Sequence, residues 1–183
     1  NNNIVLYRSK MNDLKDRIKA CYLGKNIGGT LGTPWEGRKH FLDLDFYDPV
    51  PSEPAANDDL DLQLVWLEHL KEFGFGITAE QFGGAWIDHI DFHPDEYGVA
   101  IANLKKGIQP PLSGVHNNYF ATALGGAIRS EIWSSLFPGR PATAAHYAYL
   151  DGSVDHCGDG VLIVMYLAIL ESDLYVSGDL HKS

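Results

Sequence analysis

The chain has 183 residues, of which 45% are hydrophobic and 11% aromatic, and its net charge is -10 at pH 7. This length and composition can form a buried core, which excludes an intrinsically disordered protein. The negative charge disfavours binding to a nucleic-acid backbone or to an anionic membrane. The longest apolar run, Val161 to Leu170, is about half of a membrane span, so we expect a soluble protein with no membrane partner. The expected compartment is the cytoplasm.

Helical periodicity dominates the sequence, and the alternating pattern of β-strands is nearly absent. We therefore predict an all-α fold with about seven helices. A single all-α domain is expected over residues 1–183, with its helical core in residues 11–183.

The first helix is predicted to begin near Asn12 and to end before Pro34, which breaks helices. Its second half contains three closely spaced glycines, Gly28, Gly29 and Gly32. Such a cluster indicates close packing or the approach of a ligand to the backbone. Residues 37–56 are rich in Pro and Asp and are predicted to form a long loop.

Later helices are predicted from capping residues and from helix breakers. Thr78 and Gln81 have the spacing of a capping box, which predicts a helix that ends near Ile90. Further helices are predicted at about residues 96–106, 119–137, 141–150 and 161–174.

Three carboxylates lie close together where another amphipathic helix is predicted to start, at Asp58, Asp59 and Asp61. Asn57 precedes them and is a favourable N-cap residue. A solvated helix start accounts for one or two of these acids, because the helix dipole favours negative charge there. Three like charges also suit a divalent cation, which binds carboxylate oxygens and neutralises them. Both interpretations are compatible with the sequence.

Two other polar clusters have simpler interpretations. His89, Asp91 and His93 could ligate a metal, but the proline that follows favours a solvated helix end. Asp155 and His156 could form an acid/base pair, although a histidine that braces a helix junction is the preferred interpretation.

Three segments, in this order, resemble motifs of the ADP-ribosylglycohydrolase family. Residues 23–36 read Leu-Gly-Lys-Asn-Ile-Gly-Gly-Thr-Leu-Gly-Thr-Pro-Trp-Glu, which is similar to the family's glycine-spaced first helix closed by Pro and Glu. Residues 57–60, Asn-Asp-Asp-Leu, resemble its Thr-Asp-Asp-Thr metal motif. Residues 125–129, Gly-Gly-Ala-Ile-Arg, resemble its Gly-Gly-Ala-Met-Arg segment.

The resemblance implies a compact all-α fold with Mg²⁺ or Mn²⁺, as a pair of ions, at its centre. It implies hydrolysis of the bond between C1 of a ribose and the ADP-ribosylated group. The expected partner is an ADP-ribosylated protein or a small molecule of the ADP-ribose type. By the same resemblance, the metal ligands are Asn57, Asp58 and Asp59, the catalytic residues are Glu36 and Asp59, and the substrate-binding residues are Gly125 and Gly126.

The sequence also departs from the family pattern. Asn57 and Leu60 replace the two threonines of the metal motif, and Gly29 stands where the family commonly has Asp. The family's second metal motif, Asp-x-Asp-Thr, does not occur in the sequence. The resemblance therefore implies the N-terminal part of a longer member without its C-terminal helices, and we expect either a homo-oligomer or a missing C-terminal segment. A non-catalytic binding or structural relative remains the alternative to the enzyme.

Overall fold

The computed structural model of the protein describes residues 2–46, 48–53 and 56–181. The regular structure in these ranges is entirely helical, which confirms the predicted all-α class. The α-helices are α1 (Asn2–Gly32), α2 (Asp58–Phe73), α3 (Ala79–His89), α4 (Asp95–Lys105), α5 (Leu112–Val115), α6 (Glu131–Leu136), α7 (Pro141–Gly152) and α8 (Asp159–Ser177). Short 3₁₀ segments lie at Thr33–Trp35, Gly74–Gly76 and Ala127–Arg129.

Contacts between residues divide the chain into two units, residues 1–61 and residues 62–183. The division falls within α2. The expectation of one domain over the whole chain stays a prediction.

The first unit contains α1, the 3₁₀ turn that follows it, and the first turn of α2. Helix α1 begins at Asn2, so the start predicted near Asn12 is wrong. Residues 2–23 contain neither Gly nor Pro, and the helix therefore has no local reason to begin later. Where the structure describes residues 37–56, it shows no helix.

The second unit has a core of aromatic side chains. Trp66 of α2 packs edge-on against Phe82 of α3, with ring centroids 5.4 Å apart. Phe82 in turn packs against Trp133 of α6 at 5.5 Å, and Trp133 stacks on Tyr147 of α7 at 5.8 Å. Helices α2, α3, α6 and α7 thus share one continuous aromatic cluster, which fixes their packing.

The predicted capping box at α3 is confirmed. The Thr78 hydroxyl accepts a hydrogen bond from the Gln81 backbone N–H, and the Gln81 side chain accepts one from the Thr78 backbone N–H. Two backbone donors at the helix start are therefore satisfied by side chains from the predicted positions.

The long helix predicted over residues 119–137 is wrong. Turns occupy residues 119–126, and α6 covers only Glu131–Leu136. The Asn118 side chain accepts a hydrogen bond from the Phe120 N–H, and the Cys157 N–H donates to the Ala121 carbonyl. These hydrogen bonds stabilise turns in place of a helix. The adjacent pair Gly125 and Gly126 also disfavours a helix.

Helix α8 is long and apolar enough to cross a membrane by length and composition, and a third of its most apolar window is buried in the structure. It packs against α6 and α7 and contributes Val164 and Ala168 to the core of the second unit. A core helix of a water-soluble protein has the same length and composition.

Candidate functional site

The start of α2 places the acidic residues of the first unit. The Asn57 side-chain oxygen accepts a hydrogen bond from the Asp59 N–H at 3.0 Å, so Asn57 caps the helix as predicted. Its backbone carbonyl accepts from the N–H groups of Leu60 and Asp61. The carboxylates of the first turn therefore extend from a fixed backbone.

Helix α1 approaches this start closely at Gly29. A Cβ atom at Gly29 would overlap with the Asn57 side-chain nitrogen, so a larger residue there would displace the capping side chain. One turn later, the Thr33 hydroxyl donates to the Gly29 carbonyl at 2.7 Å. The glycine at position 29 thus makes room for the capping side chain.

A pocket of about 310 Å³ lies between these segments of the first unit, and we call it the acidic pocket. It contains the four residues of the first unit that the family resemblance implies for the site, Glu36, Asn57, Asp58 and Asp59. Asp61, the third carboxylate of the cluster, does not line it. The remaining lining residues are Gly29, Gly32, Thr33 and Ala56. Glu36 is exposed to solvent immediately after the 3₁₀ turn.

A lysine that the sequence analysis missed lies beside the acidic pocket. Lys25 Nζ is 3.7 Å from Asp59 Oδ2, and the exposed fractions of the two side chains are 12% and 27%. Lys25 lies four residues before Gly29 on α1, hence on the same helix face. The four-residue spacing between Lys25 and Gly29 is the feature of the sequence that could have indicated this lysine.

The donor set of the acidic pocket suits a hard divalent cation. Carboxylate, amide and hydroxyl oxygens line it, and these are the ligands that Mg²⁺ and Mn²⁺ prefer. Among the described residues, no group of three or more His, Cys, Asp or Glu side chains is arranged to hold a metal. A cation in this pocket would therefore keep several of its waters, as Mg²⁺ usually does.

The predicted alternative at His89, Asp91 and His93 does not form a metal cluster among the described residues. The His93 Nε2 atom lies 2.7 Å from the Ile90 carbonyl oxygen, within a hydrogen bond. His89 packs edge-on against His69, with ring centroids 5.2 Å apart. These contacts brace the end of α3.

The second unit contains a buried charge network. Arg129 donates from Nε to Asp151 Oδ1 at 2.9 Å and from its two terminal nitrogens to both oxygens of Asp155, at 3.0 and 2.6 Å. Trp133 Nε1 donates to the second oxygen of Asp151 at 3.0 Å. All three charged side chains are fully buried. Loss of one member of such a network leaves an uncompensated charge in the interior.

The network shifts the pKa values of its members. Burial alone would lower the pKa of Arg129, but the charges of Asp151 and Asp155 outweigh it and raise the pKa well above the ordinary value. Burial raises the pKa of Asp151. Burial would also raise the pKa of Asp155, but Arg129 and His156 outweigh that effect and lower it.

Gly125 and Gly126 lie in the turn before the second 3₁₀ segment of this unit. A Cβ atom at Gly125 would overlap with Glu96 Oε1, and one at Gly126 would lie 2.5 Å from Val164 Cγ2. The Gly126 N–H donates to His156 Nε2 at 3.3 Å. A side chain at either position would therefore displace a packed neighbour, Glu96 or Val164, and a role in substrate binding stays a prediction.

His156 braces the junction between α7 and α8, in agreement with the preferred interpretation. The ring accepts a hydrogen bond from Gly126 at Nε2. Its Nδ1 atom lies 2.8 Å from Asp155 Oδ1, but the two groups are not aligned for a hydrogen bond. Its Nε2 atom lies 3.7 Å from Glu96 Oε1, and the ring is almost fully buried.

The sequence profile of the ADP-ribosylglycohydrolase family matches residues 10–182. The chain belongs to the ADP-ribosylglycohydrolase family. The match covers most of the chain and confirms the resemblance seen in the three motifs. The comparisons with curated proteins and with solved structures gave no match. Membership in this family indicates, at the level of the family, hydrolase chemistry of the ADP-ribosylglycohydrolase type and ADP-ribosylated substrates.

Proposed function

We propose that the protein is a metal-dependent hydrolase that cleaves the glycosidic bond at C1 of the ribose in an ADP-ribosylated substrate. The observation that carries the proposal is the acidic pocket, in which Glu36, Asn57, Asp58 and Asp59 lie together in a member of this family. Pocket and family membership support the same chemistry, since hydrolysis at C1 needs an activated water beside a proton acceptor.

Mg²⁺ or Mn²⁺ would be held by the carboxylates of Asp58 and Asp59 and by the amide oxygen of Asn57. When bound, such a cation supplies Lewis acidity that activates water for attack. Because Asn57 caps α2, its side chain and the two carboxylates after it are presented from a rigid helix start. The family's arrangement of two ions is the expectation for this pocket.

Glu36 would accept the proton of the attacking water. The water oxygen forms a bond to C1 of the ribose while the bond from C1 to the modified group breaks. The departing group takes up a proton from solvent, and the exposed Glu36 releases the proton of the water to solvent. Glu36 is exposed at the pocket, so a substrate can reach its carboxylate from solvent. A general base of this kind must lie within hydrogen-bond reach of the proton that it abstracts.

The substrate is proposed to be an ADP-ribosylated protein or a small molecule of the ADP-ribose type. Gly125 and Gly126 are proposed as substrate-binding residues from the family resemblance alone, because Gly126 is buried and its N–H already donates to His156 Nε2. Titration with ADP-ribose, with ADP and ribose 5-phosphate as comparisons, tests this part, and equal affinity for all three would contradict recognition of the complete ADP-ribose group.

The experiment for the hydrolase activity compares three proteins with added Mg²⁺ or Mn²⁺. Release of ADP-ribose from modified arginine and serine peptides is measured for the wild type, for Asp58→Asn with Asp59→Asn, and for Asp43→Asn with Asp45→Asn. The last pair removes the same charge from exposed positions of the loop that do not line the pocket. We expect release by the wild type and by this control but not by the pocket variant. A non-catalytic relative would show no metal-dependent release by any of the three.

A further inference from the structure

The position of Lys25 beside Asp59 is unusual for a lysine. Lysine side chains are mostly exposed, because the ammonium group is strongly hydrated. Only 12% of the Lys25 side chain is exposed, and its ammonium lies 3.7 Å from Asp59 Oδ2. The charge of this lysine is therefore directed at one of the proposed metal ligands.

The balance of charge at the acidic pocket explains why a cation is useful there. Three carboxylates line the pocket, those of Glu36, Asp58 and Asp59. Carboxylates that line one pocket repel one another unless a positive charge offsets them. Lys25 supplies one such charge from within the fold, next to Asp59.

A divalent cation on Asp59 would compete with this lysine. A ligated cation lies about 2.0–2.6 Å from a carboxylate oxygen, hence a few ångströms from an ammonium that contacts the same carboxylate. Even in water, a divalent cation and an ammonium about 5 Å apart repel strongly enough to weaken binding by about tenfold. The lysine must therefore swing away or its repulsion must be overcome, and its flexible four-carbon stem permits the movement.

We propose that Lys25 is a positioning residue of the acidic pocket, which holds the Asp59 carboxylate in place and sets a lower affinity for divalent cations than the carboxylates alone would give. The inference rests on the proposed function only in that it uses the same pocket. It identifies Lys25 as a residue that determines how much Mg²⁺ or Mn²⁺ the site requires.

The test is the dissociation constant for Mn²⁺, measured by calorimetry and by electron paramagnetic resonance of free Mn²⁺. Lys25→Met keeps the length of the side chain and removes its charge, and we expect it to bind Mn²⁺ about tenfold more tightly than the wild type. Lys25→Arg keeps the charge and should bind like the wild type. Lys71→Met is the matched control, because Lys71 pairs with Glu68 on an exposed surface, and its affinity should not change.

A double-mutant cycle with Asp59→Asn separates this role from a general effect on the fold. In the Asp59→Asn background, Lys25→Met should change the affinity for Mn²⁺ by much less than in the wild type. The proposal would be overturned if Lys25→Met bound Mn²⁺ as tightly as the wild type or more weakly, or if neither protein bound it. It would also be overturned if Lys25→Met had the same effect on the affinity in the Asp59→Asn background as in the wild type. Circular dichroism verifies folding, and Lys25→Gln replaces Lys25→Met if the methionine variant does not fold. The affinity is measured without substrate, so a lack of hydrolase activity would contradict the proposed function and leave this result interpretable.

Discussion

Removal of Arg129 is expected to lower the free energy of unfolding more than removal of an exposed charged side chain does. Arg129→Met leaves Asp151 and Asp155 buried beside each other without the cation to which they are hydrogen-bonded. Breaking a buried ion pair from one side costs about 3–5 kcal/mol. Protonation of one of the two carboxylates would limit this loss.

The control is Arg17→Met. Arg17 pairs with Asp13 on α1, where the exposed fractions of the two side chains are 37% and 61%. Exposed pairs of this type contribute about 0–1 kcal/mol. The two variants therefore differ in burial while both lose an arginine that pairs with aspartate.

The measurement is urea unfolding at pH 7, followed by tryptophan fluorescence, with the free energy of unfolding compared among wild type and variants. Because domains of this size have a stability of about 5–15 kcal/mol, Arg129→Met is expected to lose a large part of it. Arg129→Lys, which keeps the charge but not the fork of donors, should lose less and provides a folded variant if the methionine variant does not fold. A loss below about 1 kcal/mol in Arg129→Met, or one equal to that of Arg17→Met, would refute the reasoning.

Three further outcomes are expected. Gly29→Ala should displace the Asn57 cap and lower the free energy of unfolding by about 1 kcal/mol or more. Gly28→Ala has open space at its Cβ and should raise the free energy of unfolding by about 0.5–1 kcal/mol. Equal effects of the two variants in urea unfolding would contradict the packing argument. Thr78→Ala should lower the melting temperature through loss of about 1 kcal/mol of capping, and no shift would show that the capping box is not stabilising. The pKa of Asp155 is lower in the folded than in the unfolded state, so its stabilising contribution is present above about pH 4 and is lost as the pH falls towards the folded pKa. Between pH 7 and acidic pH, the free energy of unfolding should therefore fall less in Asp155→Asn than in the wild type. Identical pH profiles of the two proteins would contradict the direction of the pKa shift.

Elements with local signals were predictable from the sequence. The Asn57 cap and the Thr78 capping box are short-range patterns, and both occur at the predicted residues. Helical periodicity likewise indicated the all-α class, because the apolar positions of a helix repeat within a few residues.

Elements decided by distant contacts were not predictable. Residues 119–124 contain no helix breaker, but the Cys157 N–H donates to the Ala121 carbonyl and Glu96 fills the space at Gly125. The charge network joins Arg129 to partners more than twenty residues further along the chain. No local pattern specifies such pairs, since only the tertiary fold brings them together.

The candidate site was only partly predictable, because some of its residues lie in short motifs and others are brought together by tertiary packing. The family motifs indicated Glu36 and the residues of the α2 start, and the structure places these in one pocket. Lys25 was missed, because its role depends on the packing of α1 against Asp59.

Isotope incorporation from water enriched in heavy oxygen tests the central claim most directly. The protein is incubated with an ADP-ribosylated peptide and Mn²⁺ in the labelled water, and the released ADP-ribose is examined by mass spectrometry at early times. Metal-dependent hydrolysis at C1 predicts one heavy oxygen on the ribose C1, formed faster than exchange of free ADP-ribose and abolished by a chelator or by Asp58→Asn with Asp59→Asn. Absence of labelled product, or labelling that persists in the chelator and in the pocket variant, would contradict it.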